Sequence, residues 1–189
     1  MNTKKAKLEN AKDDIKYKYR NIQKKWLWDL RSECWENANS LLKDSKLLLK
    51  NKRFSSSFFL SYTALEEFGK YLFVCDYITG IVSDDEFYKS FYDHKIKIAY
   101  AHSNAQLDKE DGKITATIVY DEKVWNDWIV YRNNSLYVGL EKDNSFLIPK
   151  KEITEELASK MYDRSYKEMR SILESEYINE RIGSEALYR

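Results

Sequence analysis

Three charged residues stand in the middle of an otherwise apolar segment, and they are the first groups to consider for chemistry. Residues 54–82 are almost wholly apolar or small, yet Glu66, Glu67 and Lys70 lie at their centre. A helix that is hydrophobic on all sides is a buried helix, and a charged side chain on it is costly unless it has a partner. Glu66 and Lys70 are four residues apart, in the order that allows an ion pair on one helix face. The sequence therefore predicts a helical core around a small polar centre.

Arg132 is a second charge within an apolar pattern. Steps of three to four residues lead from Trp128 to Arg132 and on to Leu136, which puts the arginine on the apolar stripe of a predicted helix. An inward arginine needs carboxylates or a ligand anion, and Glu66 and Glu67 could supply the carboxylates. Two interpretations have similar weight: a buried lock that fixes the packing register, or a site for a ligand or substrate.

The two histidines differ in their surroundings. His94 lies in the sequence YDHKIK and is the better candidate for a role in the polar centre. His102 ends a predicted helix, where the helix dipole favours a cation. The sequence contains no nucleotide-binding loop, metal-ligand cluster or nucleophile motif. We therefore predict neither a cofactor nor a metal ion.

The composition narrows the class of protein. One proline and five glycines among 189 residues favour long helices over a β fold with many turns. Charges within the apolar segment and a charged fraction of 33% argue against a membrane protein. The first residues contain no apolar run, so we expect no secretory signal. Cys34 and Cys75 stand alone and are interpreted as buried thiols of a cytoplasmic protein, not as a disulfide or zinc site.

The charge is unevenly distributed although the net charge is only +1. Residues 1–25 hold nine Lys or Arg and three acidic residues, a net +6 that leaves −5 for the rest. One interpretation is that this basic segment binds a polyanion. The other, which is commoner for such clusters of charge, is a solvated helix face that docks on an acidic neighbour. The low overall charge gives no reason to expect DNA as a partner.

Apolar periodicity predicts an all-α fold, an antiparallel bundle of five to six helices joined by mostly short turns. Gly80 suits a helix C-cap, and Ser83 with Glu86 forms a capping box for the next helix. Residues 103–121 are predicted as a polar loop followed by a short strand or a buried extended run. Residues 1–31 form a basic helical arm and residues 32–189 form the bundle, within a single globular domain. The predicted helices cover about residues 8–26, 32–49, 54–80, 83–101 and 122–136, and a last helix opens at residue 154.

Three sequence patterns resemble a known family. SSSFFLSYTALEEFGK, FYDHKIKI and YRNNSLYVGL, with a proline beyond, resemble the AbiV-type abortive-infection proteins of bacterial anti-phage defence. Those proteins belong to the HEPN superfamily of small helical bundles. The resemblance covers roughly residues 41–151 in the expected order and spacing. It implies a homodimer in which two arginine motifs face one cleft, and the narrow stripe of Leu8, Ile15 and Ile22 would add a packing surface.

The resemblance also implies site residues. Many HEPN proteins are metal-independent ribonucleases with an arginine, a polar residue, three free positions and a histidine. By that resemblance Arg132 is the arginine, Asn133 the polar residue, and Tyr137 stands where histidine is expected. Histidine titrates near neutrality and can move a proton from a ribose 2′-hydroxyl. Tyrosine, with an ordinary pKa of about 10, is a poor base at neutral pH, but it can donate a hydrogen bond or stack on a base.

Three functional hypotheses follow. The first is an RNA-directed effector that stops growth or translation in infected cells, with Arg132 on a phosphate and Asn133, Tyr137 and His94 positioning the RNA. Glu66, Glu67 and Lys70 would support that site. The second is a non-catalytic module that binds a host protein or a phage-encoded trigger protein, and Tyr137 slightly favours it. The third is a sensor of a small anion at Arg132.

Overall fold

The computed structural model describes residues 24–102, 106–110, 113–117, 122–140, 142–143 and 145–174. Most of the predicted N-terminal arm, including its stripe of Leu8, Ile15 and Ile22, therefore lies outside the described residues. The described chain is mostly helical, as predicted from the periodicity. Its helices are α1 (Lys24–Lys50), α2 (Phe54–Ile78), α3 (Asp84–Ser90), α4 (His94–His102), α5 (Glu122–Asn134), α6 (Pro149–Glu152) and α7 (Glu155–Glu174). Its strands are β1 (Gln106–Glu110), β2 (Lys113–Thr117), β3 (Gly139–Leu140) and β4 (Phe146–Leu147).

Helix α2 is the centre of the bundle and packs against α1, α4 and α7. It takes that place because it is apolar on nearly every side, and Phe58, Leu65 and Phe68 are fully buried. Helix α1 packs alongside through a stripe that includes Leu27 and Ala38. Within the described residues it is continuous from Lys24 to Lys50, so the predicted break between residues 26 and 32 is absent and the helix crosses the expected limit of the arm at residue 31.

The prediction of one helix over residues 83–101 is wrong. The predicted cap is present, since the Ser83 hydroxyl accepts a hydrogen bond from the backbone N–H of Glu86 at 3.4 Å. However, α3 ends at Ser90 and a new helix begins at His94. The carboxylate of Asp93 accepts the backbone N–H of Lys95 at 2.7 Å and so caps the new helix. The break places His94 at the very start of α4.

Two short hairpins lie in segments that were predicted as loops and, within residues 103–121, as a loop followed by a short strand or an extended run. Strands β1 and β2 pair antiparallel with Gln106 opposite Thr117, so part of the predicted polar loop is a strand. Strands β3 and β4 pair in the same way between α5 and α6, where only a loop was expected. The predicted C-cap after α2 is confirmed, because Gly80 has a positive φ of 79°. No helix among the described residues is long and apolar enough to cross a membrane.

Four buried serines, here called the serine cluster, join three helices. Ser45 of α1, Ser57 and Ser61 of α2, and Ser165 of α7 are all 0% exposed. The Ser45 hydroxyl lies 2.6 Å from that of Ser61 and donates to the backbone carbonyl of Ser57 at 2.8 Å. The Ser165 hydroxyl is 2.9 Å from the carbonyl oxygen of Ser61. These contacts satisfy the hydroxyl groups of the four serines inside the core.

Helices α2 and α4 approach each other closely at Gly69. A Cβ atom at that position would lie 1.7 Å from the backbone carbonyl oxygen of Lys97. Only glycine lets the two backbones come so near. The contact holds the first turn of α4, with His94, against the middle of α2.

Candidate functional site

The side chain of Glu66 contacts cationic or ionisable groups from two other helices. Its Oε1 lies 2.7 Å from Nδ1 of His94 at the start of α4. Its Oε2 lies 3.9 Å from Nη2 of Arg132 near the end of α5, which is an ion-pair contact and too long for a hydrogen bond. We call these three residues the charge centre. The Glu66 side chain is only 5% exposed, so its position is fixed by the core of the bundle.

Arg132 is held by aromatic rings as well as by charge. Its guanidinium carbon lies 5.7 Å from the ring centre of Phe59 and 5.8 Å from that of Tyr62, within the range of cation–π attraction. One turn earlier, Trp128 stacks on the buried ring of Phe58 with centroids 5.8 Å apart, which docks α5 on α2. The inward direction of Arg132 that was predicted from its stripe is therefore present.

The guanidinium of Arg132 is nevertheless only partly satisfied. Its Nη1 donates to the Asn133 side-chain oxygen at a long 3.4 Å. Its Nε is buried without a hydrogen-bond partner among the described residues, and so is the hydroxyl of the neighbouring Tyr62. Burial raises the pKa of Tyr62, with the charge of Glu66 acting in the same direction and that of Arg132 against it. The Tyr62 hydroxyl therefore stays protonated and remains a potential hydrogen-bond donor.

The predicted ion pair between Glu66 and Lys70 is wrong. Lys70 pairs with Glu67 instead, three residues away, and both side chains are half-buried. Spacings of three and four residues both bring side chains together on a helix, and Glu66 is occupied by groups from α4 and α5. The prediction that Glu66 or Glu67 lies within hydrogen-bonding reach of Arg132 or Lys70 is confirmed by the pair of Glu67 and Lys70, whereas the contact of Glu66 with Arg132 is a longer ion pair.

Lys97 belongs to the same surroundings and was not singled out from the sequence. It is only 5% exposed. Burial lowers the pKa of its ammonium, the charge of Lys70 lowers it further, and the charge of Glu66 acts in the opposite direction. The sequence signal was available in IKI, a lysine between two isoleucines on α4, but its burial depends on the close contact at Gly69.

Tyr137 stands apart from the charge centre. It follows the end of α5, its backbone N–H donates to the carbonyl of Asn133 at 3.1 Å, and its side chain is 66% exposed. In the part of the chain that is described, no contact joins Tyr137 to Glu66, His94 or Arg132. The structure thus brings together Glu66, His94 and Arg132, with Asn133 beside the guanidinium. The pair of Glu67, directly after Glu66, and Lys70, one turn further along α2, lies beside them. The side chain of His102 is outside the described residues.

The arrangement combines proton transfer with anion binding. A carboxylate in its ionised form only accepts hydrogen bonds, so Nδ1–H of His94 would be the donor of the 2.7 Å contact, and Nε2 keeps its lone pair whenever the ring is neutral. The His94 side chain is 57% exposed and the Arg132 side chain 23% exposed. Around them three cations, Lys70, Lys97 and Arg132, face two carboxylates, an excess that suits an anionic ligand. Among the described residues no group of three or more side chains could hold a metal ion.

Comparison with known proteins identifies a family. No curated protein and no solved structure gives a significant match to the chain. The family model described as AbiV, of the HEPN type, matches residues 27–168. The match extends beyond the three sequence patterns at both ends, taking in most of α1 and of α7. It covers well over half of the 189 residues, and the chain therefore belongs to the AbiV family of HEPN proteins.

Proposed function

We propose that this protein is an abortive-infection effector that stops growth or translation in phage-infected cells by acting on RNA at the charge centre. Membership of the AbiV family suggests the role in phage defence. The action on RNA rests on the geometry around Glu66. One buried carboxylate holds a half-exposed imidazole on one oxygen and a guanidinium near the other.

The chemistry of that pair matches an RNA backbone. Arginine presents a planar fork of N–H donors that fits the oxygens of a phosphate. A neutral imidazole can accept the proton of a nearby hydroxyl group. RNA offers both partners within one nucleotide, a phosphate and a ribose 2′-hydroxyl. Asn133, beside the Arg132 guanidinium, and the exposed Tyr137 just beyond the end of α5 would contact neighbouring nucleotides.

Growth and protein synthesis after induced expression test this proposal. Wild-type protein is expected to stop both, and Arg132→Ala is expected to lose the effect while remaining folded. Arg53→Ala is the matched control, because Arg53 is an exposed arginine at the start of α2. RNA crosslinking to wild-type protein that is lost in Arg132→Ala would support RNA as the target. Arrest that survives Arg132→Ala at equal soluble protein would contradict the proposal.

A second function, binding of a host or phage protein, is favoured by a different observation. Four large apolar side chains just beyond α5 are exposed by 66–70%: Tyr137, Val138, Leu140 and Phe146. Exposed apolar groups clustered in one segment are a feature of interaction surfaces. A phage-encoded trigger protein would then bind the hairpin of β3 and β4. Phe146→Ser and Val138→Ser would abolish the arrest, whereas Arg132→Ala would not.

We also propose that the protein acts as a homodimer, which would bring two charge centres together. Light scattering across micromolar concentrations is expected to return the mass of two chains. Removal of residues 1–23 would weaken the dimer if the predicted arm forms the dimer interface. A mass of one chain at all concentrations would reject the dimer. The homodimer is a separate proposal from the action on RNA, and either can fail alone.

A further inference from the structure

We propose that a cleft between α1 and α2 binds a small organic anion, a monocarboxylate with a short apolar chain, at Arg31. The cleft, here called the arginine cleft, is lined by residues of α1 and of the end of α2: Trp28, Arg31, Cys75, Ile78 and Thr79. Cys75 follows Glu66 by nine residues, about two and a half helical turns, and so lies on the opposite side of α2 from the charge centre. The inference therefore does not depend on the proposed action on RNA.

The guanidinium of Arg31 is held by aromatic rings rather than by hydrogen bonds. Its central carbon lies 4.8 Å from the ring centre of Trp28 and 5.9 Å from that of Tyr71, both within the range of cation–π attraction. This attraction uses none of the N–H donors of the arginine. Nε of Arg31 is buried without a hydrogen-bond partner among the described residues. The side chain as a whole is half-buried, so its donors remain available to a ligand.

Arg31 resembles Arg132 in its aromatic neighbours but differs from it in charge balance. Both guanidinium groups lie near two rings, and both have a buried Nε without a partner in the described part of the chain. Arg132 has a carboxylate oxygen of Glu66 at 3.9 Å. Within the same described part, Arg31 makes no ion pair. An arginine without a carboxylate is the more favourable of the two for an anion from outside the chain.

The end of α2 limits the charge of the ligand. Ile78 is the last residue of α2, so the arginine cleft lies at the end where the helix dipole places about half a negative charge. Together with the full charge of the guanidinium, this leaves about half a positive charge. A singly charged anion suits that balance better than a phosphate dianion. A dianion would also lose more hydration energy beside the apolar side chains of Trp28 and Ile78.

The size and the walls of the cleft limit the ligand to a few atoms. Its volume is about 170 Å³, part of it open to solvent. Pockets for drug-sized ligands have about 300–1,000 Å³, whereas this volume equals the share of about six water molecules. The Thr79 hydroxyl already contacts the backbone carbonyls of Cys75 and Asp76, at 3.1 Å each. A carboxylate on Arg31 with a chain of about three carbons against Trp28 and Ile78 would fill the space.

The test is a calorimetric titration of the full purified chain with butyrate, at an ionic strength kept constant with sodium chloride. Saturable binding is expected. 1-Butanol, which lacks the charge, and inorganic phosphate, which lacks the chain, are each expected to bind at least about tenfold more weakly. Methyl NMR of isoleucine locates the site in the wild type. The methyl resonance of Ile78 should shift on binding, while that of Ile98, which is 1% exposed in the core, should not.

Variants at Arg31 test the anion contact directly. Arg31→Gln keeps a polar side chain without the charge and is expected to weaken butyrate binding by about 10–100-fold. Arg31→Lys keeps the charge without the planar fork, so an intermediate loss is expected, and it serves if the glutamine variant does not fold. Arg53→Gln is the matched control, because Arg53 is an exposed arginine at the start of α2. It should bind butyrate as wild type does.

Four results would overturn the inference. The first is that butyrate shows no saturable binding to wild type. The second is that folded Arg31→Gln and Arg31→Lys both bind butyrate as tightly as wild type. The third is that binding is lost in Arg132→Gln but kept in Arg31→Gln, which would place the anion at the charge centre. The fourth is that phosphate binds more tightly than butyrate, which would exclude a monocarboxylate as the preferred ligand.

Discussion

Helix α2 carries two polar clusters, and they differ in every respect that matters for function. The serine cluster is neutral and fully buried, and its hydroxyls are hydrogen-bonded to one another and to backbone carbonyls. The charge centre, about one turn further along α2, is ionic and open to solvent at His94. Its guanidinium also retains an unpaired nitrogen among the described residues.

The difference separates polar groups that hold a fold from polar groups that are available to a ligand. Buried hydroxyls with complete hydrogen bonds stabilise one arrangement of helices. Because their hydrogen bonds are already made within the protein, they offer no unused donor or acceptor to a ligand. Charged groups held in place with unused donors are suited to bind something else. We therefore expect substitutions in the serine cluster to change stability alone, and substitutions in the charge centre to change activity first.

The largest effect is expected at Gly69, on which the geometry of the charge centre depends. In Gly69→Ala the new Cβ would overlap the carbonyl oxygen of Lys97. Because the obstacle is backbone, α4 must move, and we expect the free energy of unfolding to fall by more than about 3 kcal/mol. Urea denaturation measures the loss. The control is Gly139→Ala, where the Cβ would meet only the Leu147 side chain at 3.4 Å, and equal losses in both variants would refute the close contact.

A smaller loss is expected in the serine cluster. Ser45→Ala removes the hydroxyl that contacts both Ser57 and Ser61 and leaves their buried polar atoms short of a partner. The expected cost is about 1–3 kcal/mol. Ser40→Ala, at an exposed position of the same helix, should cost almost nothing. Growth arrest per amount of soluble protein should be unchanged in Ser45→Ala, and a specific loss of arrest would break the proposed contrast.

A pH-dependent effect is expected at Lys97. Because burial lowers the pKa of its ammonium below the ordinary 10.5, folding releases protons between the lowered value and 10.5. The cost of burying the charge is complete below the lowered pKa and disappears as the pH rises through that window. Wild type should therefore gain stability relative to Lys97→Met as the pH rises through that window toward 10.5. The difference between wild type and Ser45→Ala should stay constant, since serine does not titrate there.

The smallest effect is expected at Cys34, whose thiol should hardly react with alkylating agents in the folded protein. Burial, and next the charge of Glu67, raise the pKa of the Cys34 thiol from 9.0 to about 11. Little thiolate is present at neutral pH, and only the thiolate reacts with alkylating agents. Labelling of Cys34 should therefore be slow in the folded protein and fast in urea. Rapid labelling without urea would show that α1 separates easily from α2.

The fold was largely predictable because its main signals are local. The apolar length of α2, the N-cap at Ser83 and the glycine at position 80 each depend on a few neighbouring residues, and each is present. The break between α3 and α4 was missed because aromatic residues continue the apolar pattern up to Asp93. The strand β1 was missed because its polar sequence has no apolar alternation, and it is defined by its pairing with β2.

The charge centre was predictable in its members but not in its pairing. Inward charges at Glu66 and Arg132 follow from position on an apolar stripe. The partner of Glu66 does not, because His94 reaches it only where Gly69 lets α4 approach α2. The same approach buries Lys97, a lysine that any sequence pattern would place on the surface. Contacts between helices that are far apart in the chain decide these assignments, and a single sequence does not contain them.

The sharing of Glu66 between two helices has a consequence for how mutations combine. Substitutions at distant, independent positions usually add in free energy, whereas residues with a common partner do not. Once Glu66 has lost its carboxylate, a second change at His94 removes a group that has already lost its orientation. The free-energy change in the double variant should then be smaller than the sum of the changes in the two single variants. Positions 66, 94 and 132 should accordingly behave in variant libraries as one unit, in which the first loss masks the next.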